Sequence, residues 1–369
     1  MKFQCNREQL ADALQSASRA LSSRSSVSGI KWTGSNGWLQ LEGRESDMSI
    51  QSVIPYTGVE TSFTTPASLA LDLVKSMQDE MVEILVDESV VAFRSGRAEV
   101  SLNLLTEFES PTLSLPEGNE VTVQGGELAR GIHQVAVAGS RDEGRDLVYS
   151  GMLFASTGEG LRLVATDGIR LALRDVTGLD VMMEADQREV VIPTRAVREL
   201  ERLLSSNSDG EGLRVRIGRH EAMFSIGDTK LVTRLIDEPF RDYRRLTDVT
   251  YHRVLLADKL QLQHSLRTLR RMAKEARNSC VLRMSISDNN CELSVKIPQI
   301  GQVHEVIDVN FSDLEFSIGF DPDLFAEGID GVETDVVRIE FQEPNRAACI
   351  TNSDSRAYIY LLMPIVQKS

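Results

Sequence analysis

The stretch Val121–Gly139, VTVQGGELARGIHQVAVAG, reads as a short strand running into an amphipathic helix. Leu128, Ile132 and Val135 recur at i, i+4 and i+7, which places them on one helical face. Phe3–Leu21, FQCNREQLADALQSASRAL, reads the same way, with Leu10, Leu14 and Ala17 at the same spacing. So does His252–Met272, HRVLLADKLQLQHSLRTLRRM. One opening per third of a 369-residue chain points to an internal repeat.

Working outward, each opening leads into hairpin-like strands: GWLQLEG from Gly37, GLRLVATDGIRLALRDV from Gly160 and CELSVKI from Cys291. A second helix then starts beside a proline. The segments are FTTPASLALDLVKSM (Pro66), VVIPTRAVRELERLL (Pro193) and SIGFDPDLFAEGI (Pro322). Proline is tolerated there because the first-turn N–H has no helical partner. Each third closes with apolar residues at every second position, as in VEILVDESVVAFRSGRAEVSL, the mark of half-buried strands. The pattern predicts an α+β fold of three domains, 1–117, 120–246 and 250–369. Each has two helices against antiparallel sheets, and Pro111–Gly118 and Arg241–Thr250 act as linkers.

Composition limits what the chain does. Hydrophobic residues make up 41% and charged residues 26%, which are globular values. No run reaches the ~18–20 apolar residues that a membrane helix needs. MKFQCNREQLADAL lacks the apolar core of a signal peptide, so a cytoplasmic protein is expected. Cys5, Cys280, Cys291 and Cys349 are scattered and read as reduced, buried thiols. His133, His220, His252, His264 and His304 have no paired ligand spacing, so no metal or cofactor is expected. No phosphate loop, zinc-protease helix or nucleophile elbow is present, and no catalytic residue is nominated. Ala165–Gly168, ATDG, reads as a turn between alternating strands.

The net charge of −15 opposes a nucleic-acid partner unless the basic residues are segregated. They gather on helices. Arg195, Arg198 and Arg202 lie at i, i+3 and i+7. Arg267, Arg270, Arg271 and Lys274 form a second stripe, with Arg24 and Arg130 as further candidates. Acids such as Asp79, Glu80, Glu83, Asp87 and Glu88 lie on strands and loops. A mixed-charge helix is often only a solvated face. Recurrence on equivalent helices favours a DNA-facing surface that holds phosphates without reading bases.

Ser150–Leu173, SGMLFASTGEGLRLVATDGIRLAL, resembles the middle domain of the bacterial beta sliding clamp family, the processivity subunit of the replicative DNA polymerase. Leu231–Leu246, LVTRLIDEPFRDYRRL, Phe93–Leu102, FRSGRAEVSL, and Ala357–Pro364, AYIYLLMP, fit the same family, in order along the whole chain. The resemblance implies a ring-shaped head-to-tail homodimer, helices lining a hole for double-stranded DNA, and no catalysis. It implies short peptide motifs of DNA polymerase, clamp loader and repair factors as partners, and a place at the nucleoid. The groove for those peptides would comprise Tyr149, Thr166, Gly168, Ile169, Arg170, Leu171, Arg241, Leu246, Leu324, Asn345, Ala347, Leu361, Met363, Pro364 and Ile365. Arg241 stands where the family commonly has proline, and Ile169 where a polar ring is frequent. The dimer would join Val100 and Leu102 to the neighbourhood of Leu269 and Met272. A clamp-like paralogue, an open DNA-binding scaffold and an enzyme of unnamed chemistry are the alternatives.

Overall fold

Asn6 shows why the first repeat opens as it does. Its side chain accepts from the backbone N–H of Glu8 (3.0 Å) and Gln9 (3.1 Å), capping the helix that follows strand β1. Asp258 caps the equivalent helix of the last third by accepting from Gln261 N at 2.8 Å. A computed structural model describes residues 1–21, 28–105, 113–140, 147–179, 182, 188–206, 211–276 and 280–365.

The first third runs β1 (Lys2–Asn6), α1 (Arg7–Ser18), β2 (Gly29–Ser35), β3 (Trp38–Arg44), β4 (Met48–Pro55), β5 (Thr57–Gly58), β6 (Thr61–Pro66), α2 (Ala67–Ser76), β7 (Met81–Val86), β8 (Val90–Ser95) and β9 (Ala98–Asn103). The middle third runs β10 (Val121–Val123), α3 (Gly125–Ala136), a 3-10 turn (Leu147–Ser150), β11 (Gly151–Ser156), β12 (Gly160–Thr166), β13 (Arg170–Thr177), β14 (Glu189–Pro193), α4 (Thr194–Ser206), β15 (Leu213–Ile217), β16 (Glu221–Ile226) and β17 (Thr229–Arg234). A short helix, α5 (Arg244–Thr247), precedes the last third. That third runs β18 (Arg253–Asp258), α6 (Lys259–Ala273), β19 (Leu282–Ser287), β20 (Asn290–Ile297), β21 (Gly301–Phe311), β22 (Glu315–Phe320), α7 (Pro322–Asp330), β23 (Val336–Phe341), β24 (Ala348–Asn352) and β25 (Tyr358–Leu362). The fold is thus α+β, three times over. The helix faces read from the sequence are the buried ones: Leu10, Leu14, Ala17, Leu128, Ile132 and Val135 are all fully enclosed.

Two compact units result. The first holds Met1–Gly125 with Glu199–Leu235, and the second holds Gly126–Arg198 with the chain from Ile236 onward. The first contains a five-stranded sheet, β5-β1-β7-β8-β9, and an eight-stranded one, β10-β15-β16-β17-β4-β3-β2-β6. The second contains a twelve-stranded sheet, β14-β11-β12-β13-β25-β24-β23-β18-β21-β20-β19-β22.

Each unit is built across a seam where strands from different thirds pair. In the first, β17 meets β4 antiparallel, with Leu231 opposite Ile50 and Lys230 opposite Gln51. In the second, β25 meets β13, with Tyr360 opposite Ala172, Ile359 opposite Leu173 and Leu361 opposite Leu171. The two expected linkers do more than connect. Pro111 lies outside the described residues, but Leu113 is buried against Met223 and Val232 on the β16–β17 face. In the Arg241–Thr250 tract, Tyr243 is 2% exposed and packs among Leu171, Leu361 and Cys349. An apolar outer face must be covered from water, and the linker supplies the cover.

Candidate functional site

The turn Asp167–Gly168 organises the expected groove. Asp167 Oδ1 accepts from the N–H groups of Ile169 and Arg170, both at 3.0 Å. The Thr166 hydroxyl donates to Arg170 O at 2.6 Å and accepts from Gly168 N at 3.1 Å. Gly168 has φ +87°, in the left-handed region that favours glycine, so a side chain there would strain the turn. The Tyr149 ring lies 3.9 Å from where a Cβ on Gly168 would stand. Ile169 projects at the tip, 47% exposed. Its carbonyl accepts from Met363 N at 2.9 Å, which lays the chain after β25 beside the turn. Met363 is 46% exposed, and Ile365 N is anchored by Gly319 O of β22 at 2.8 Å. Ile169 and Met363 therefore form one apolar rim, fixed by backbone bonds.

Arg170 differs from its expected part. Its side chain is only 9% exposed. It donates to Asp167 Oδ2 (3.0 Å), to the Tyr360 hydroxyl (3.3 Å) and to Glu327 on α7. Tyr360 in turn donates to Leu324 O at 2.8 Å. Burial pulls the Arg170 guanidinium down, but Tyr360 and Glu327 outweigh it and hold the group above its usual range. Arg170 thus ties the turn to β25 and α7, and is no open recognition group.

Leu171 and Leu361 are also deeper than a groove surface. They are core residues in one cluster with Leu153, Tyr243, Ile359 and Cys349, and they back the groove from behind. Leu324 and Ala347 are half-buried, whereas Leu246, Asn345 and Arg241 are exposed. Leu246 joins the site through α5, its N–H donating to Tyr243 O at 2.8 Å. Tyr149, Thr166, Gly168, Ile169, Arg170, Leu324 and Met363 come together through the contacts above. Among the described residues, Asn345 stands outside those contacts. Sequence reading missed Tyr243, Glu327 and Tyr360. Only Tyr243 had a local signal, an aromatic in a tract otherwise read as linker.

The basic positions separate into paired and unpaired. Arg24 lies outside the described residues. Arg130 pairs with Glu127, and Arg202 with Glu199. Arg270 meets Asp323 at 2.5 Å. Arg195 and Arg198 are half-buried, and Arg198 donates to Ala136 O at 3.4 Å. Arg267, Arg271 and Lys274 are exposed, and no carboxylate among the described residues pairs with them. They lie at i, i+4 and i+7 of the segment formed by α6 and its C-cap, while Leu262, Leu266 and Leu269 fill its buried face.

β9 is the outer strand of its sheet, with Val100 and Leu102 half-buried and Leu102 packed on the first unit's core. Leu269 is fully buried within its own unit, so it offers no surface to a second chain. Met272 remains available: it is half-buried, its Cε 3.1 Å from where a Cβ on Gly301 would stand. Among the described residues no cluster of three or more His, Cys, Asp or Glu could hold a metal ion. Burial pushes the thiols of Cys5, Cys291 and Cys349 up to about 12.

Three domain models match in order: the DNA polymerase III beta subunit N-terminal domain over residues 1–114, its central domain over 122–242 and its C-terminal domain over 250–366. The beta sliding clamp of Pseudomonas aeruginosa is 25% identical over 377 residues, covering 99% of this chain and 100% of the relative. That of Bacillus subtilis is 27% identical over 380 residues, covering 99% of each. The crystal structure of the Bacillus subtilis DNA polymerase sliding clamp superposes with a TM-score of 0.89 at 26% identity, over 100% of both chains.

Proposed function

The chain belongs to the DNA polymerase III beta subunit family, and from that premise we propose how its own surfaces perform the work of a DNA sliding clamp. It acts as a processivity factor and not as an enzyme. It encircles duplex DNA as a dimer and tethers the polymerase and other partners. Its place of action is the cytoplasm, at the nucleoid.

The observation that carries this reading is a pair of unused strand edges that match the two seams already made. In the meanders, Gly43 pairs with Ile50, Ala165 with Ala172 and Val295 with Val303. In the closing hairpins, Phe224 pairs with Leu231, Ile350 with Tyr360 and Phe93 with Val100. The seams join Leu231 to Ile50 and Tyr360 to Ala172. The third member of each series has no such partner among the described residues. β21 meets β18 only over Val309–Phe311, leaving its first half open, and β9 ends its sheet. Free edges seek strands.

A second copy supplies them. Val100 of one copy then faces Val303 of the other, and Leu102 faces Gly301 beside Met272. Each copy brings one edge of each kind, so two copies satisfy all four and the head-to-tail contact closes. Duplex DNA is held by topology, with weak contacts from Arg267, Arg271 and Lys274. Each phosphate neutralised adds about 0.9 to the salt slope. Ile169, Met363, Leu324 and Leu246 offer apolar anchorage to an extended partner peptide, and a few central residues carry most of its affinity.

Light scattering tests the closure. Val100→Asp is expected to give a folded monomer, as is Val303→Asp, and Val100→Asp with Val303→Lys is expected to restore the dimer. A wild-type dimer should stay on nicked circular DNA and slide off linear DNA. Dimeric single variants would defeat the register. For the groove, Met363→Ala with Ile169→Ala should weaken a fluorescent polymerase-derived peptide by about tenfold or more, roughly 1.4 kcal/mol.

A further inference from the structure

The outer face of the β4–β17 seam carries a cavity of about 310 Å³, lined by Trp38, Gln51, Val53, Arg214, Thr229 and Lys230 among others. We propose that this cavity binds a nucleotide, its base stacked on Trp38 and its phosphate held between Arg214 and Lys230.

Strand pairing dictates the arrangement. Arg214 stands opposite Ser225, Ser225 opposite Lys230, and Lys230 opposite Gln51, so one row crosses four strands on one face. Opposed residues in such a ladder lie about 4.5–5.5 Å apart, so the two cations flank a single small residue. Ser225 is buried and leaves the space above it open to two long, flexible side chains. Arg214 donates to Gly227 O at 3.3 Å, which holds it toward the Gly227–Asp228 turn. Neither Arg214 nor Lys230 pairs with a carboxylate among the described residues, in a chain whose net charge is −15. Two such cations on one face suit a phosphate, which accepts charge-assisted hydrogen bonds from both.

The aromatic partner is equally specific. The chain has two tryptophans. Trp32 is fully buried, its indole N–H donating to Thr65 Oγ1 at 2.8 Å. Trp38 is 51% exposed at the cavity. An exposed indole beside paired cations is what base stacking and phosphate binding need together. The Asp228 carboxylate at the rim can accept from sugar hydroxyls or a base amine. Neither the groove at Ile169 nor the α6 stripe contributes a residue.

Titration of the full-length protein with AMP, followed by Trp38 fluorescence and by calorimetry, tests the site. Saturable quenching is expected. Adenosine and inorganic phosphate should each bind about tenfold more weakly than AMP, since each keeps half of the contacts. Arg214→Gln with Lys230→Gln should weaken AMP by a similar factor, and so should Trp38→Leu, read by calorimetry. Gln51→Glu keeps every cation and adds a charge beside them, so it should also weaken AMP. An adenylate oligonucleotide compared with AMP separates a strand from a free nucleotide as the source. Absence of saturation with AMP overturns the proposal, as do equal affinities for adenosine and AMP, or wild-type affinity in the Arg214→Gln/Lys230→Gln protein. Unchanged melting of the variants shows that they fold.

Discussion

The two seams share one topology and differ in what covers them. At the β13–β25 seam, Leu173 faces Ile359 and Leu171 faces Leu361 on the outer side. Tyr243 lies over them, with Phe240 and Tyr251 packed against the same cluster. At the β4–β17 seam the equivalent positions are Gln51 opposite Lys230 and Ser49 opposite Val232. There, among the described residues, the apolar cover is Leu113, packed on Met223 and Val232. Apolar strand faces demand an aromatic linker and yield a rigid base for the turn at Gly168. Polar ones need little cover and leave a cavity beside Trp38. Identical backbone pairing thus supports two kinds of surface, and the side chains of four strands decide which.

The largest expected effect lies in the covered seam. Tyr243→Ala should cost about 3–5 kcal/mol, the usual range for deleting a buried aromatic. Leu113→Ala, with two partners, should cost about 2 kcal/mol. Urea midpoints compare them, and equal losses would erase the distinction between the covers. Cys349 lies in the Tyr243 cluster, so Tyr243→Ala should also speed its labelling by thiol reagents. Next comes Arg170. Glu327→Gln removes one of its charged partners and should cost about 1–3 kcal/mol. It should weaken peptide binding too, because the turn loses its tie to α7. Unchanged peptide affinity would show that Arg170 only packs the interior.

The buried thiols give a pH signature. Cys5, Cys291 and Cys349 hold their protons up to about 12, against an ordinary value of 9.0. The unfolded chain releases these protons first. Their contribution is therefore complete below 9.0 and is lost as pH rises toward 12. Urea midpoints should fall across that window, and replacing Cys349 by alanine should flatten the decline. The smallest effect tests the seams directly. Gln51→Leu with Lys230→Ile grafts the apolar pair of one seam onto the other. Stability should move by less than about 1 kcal/mol, because the pair lines an open cavity and buries little apolar surface. AMP affinity, read by quenching, should fall.

Most of the architecture was legible because its signals are local. The spacing of Leu10, Leu14 and Ala17 sets a buried helix face without reference to anything distant. Asp167–Gly168 announces a turn because only a residue free to adopt positive φ completes it. Pro322 marks a helix start, and Asp321 caps it by accepting from Asp323 N (2.9 Å) and Leu324 N (3.0 Å). Alternation of apolar residues marks β9, β15 and β20 as strands whatever they pair with.

Only the tertiary structure decided which side chains were spent internally. Arg170 and Arg202 look alike in the sequence as basic residues, yet one is enclosed by Asp167, Glu327 and Tyr360 while the other lies open beside Glu199. Leu269 and Met272 sit within one helical turn, and three residues of rotation separate a core side chain from a surface one. Glu327 lies 157 positions from Arg170, and Tyr360 lies 190. Local sequence carries propensity and period. It carries no record of which strand arrives from the far end of the chain, and that arrival determines burial, pairing and the shape of both surfaces.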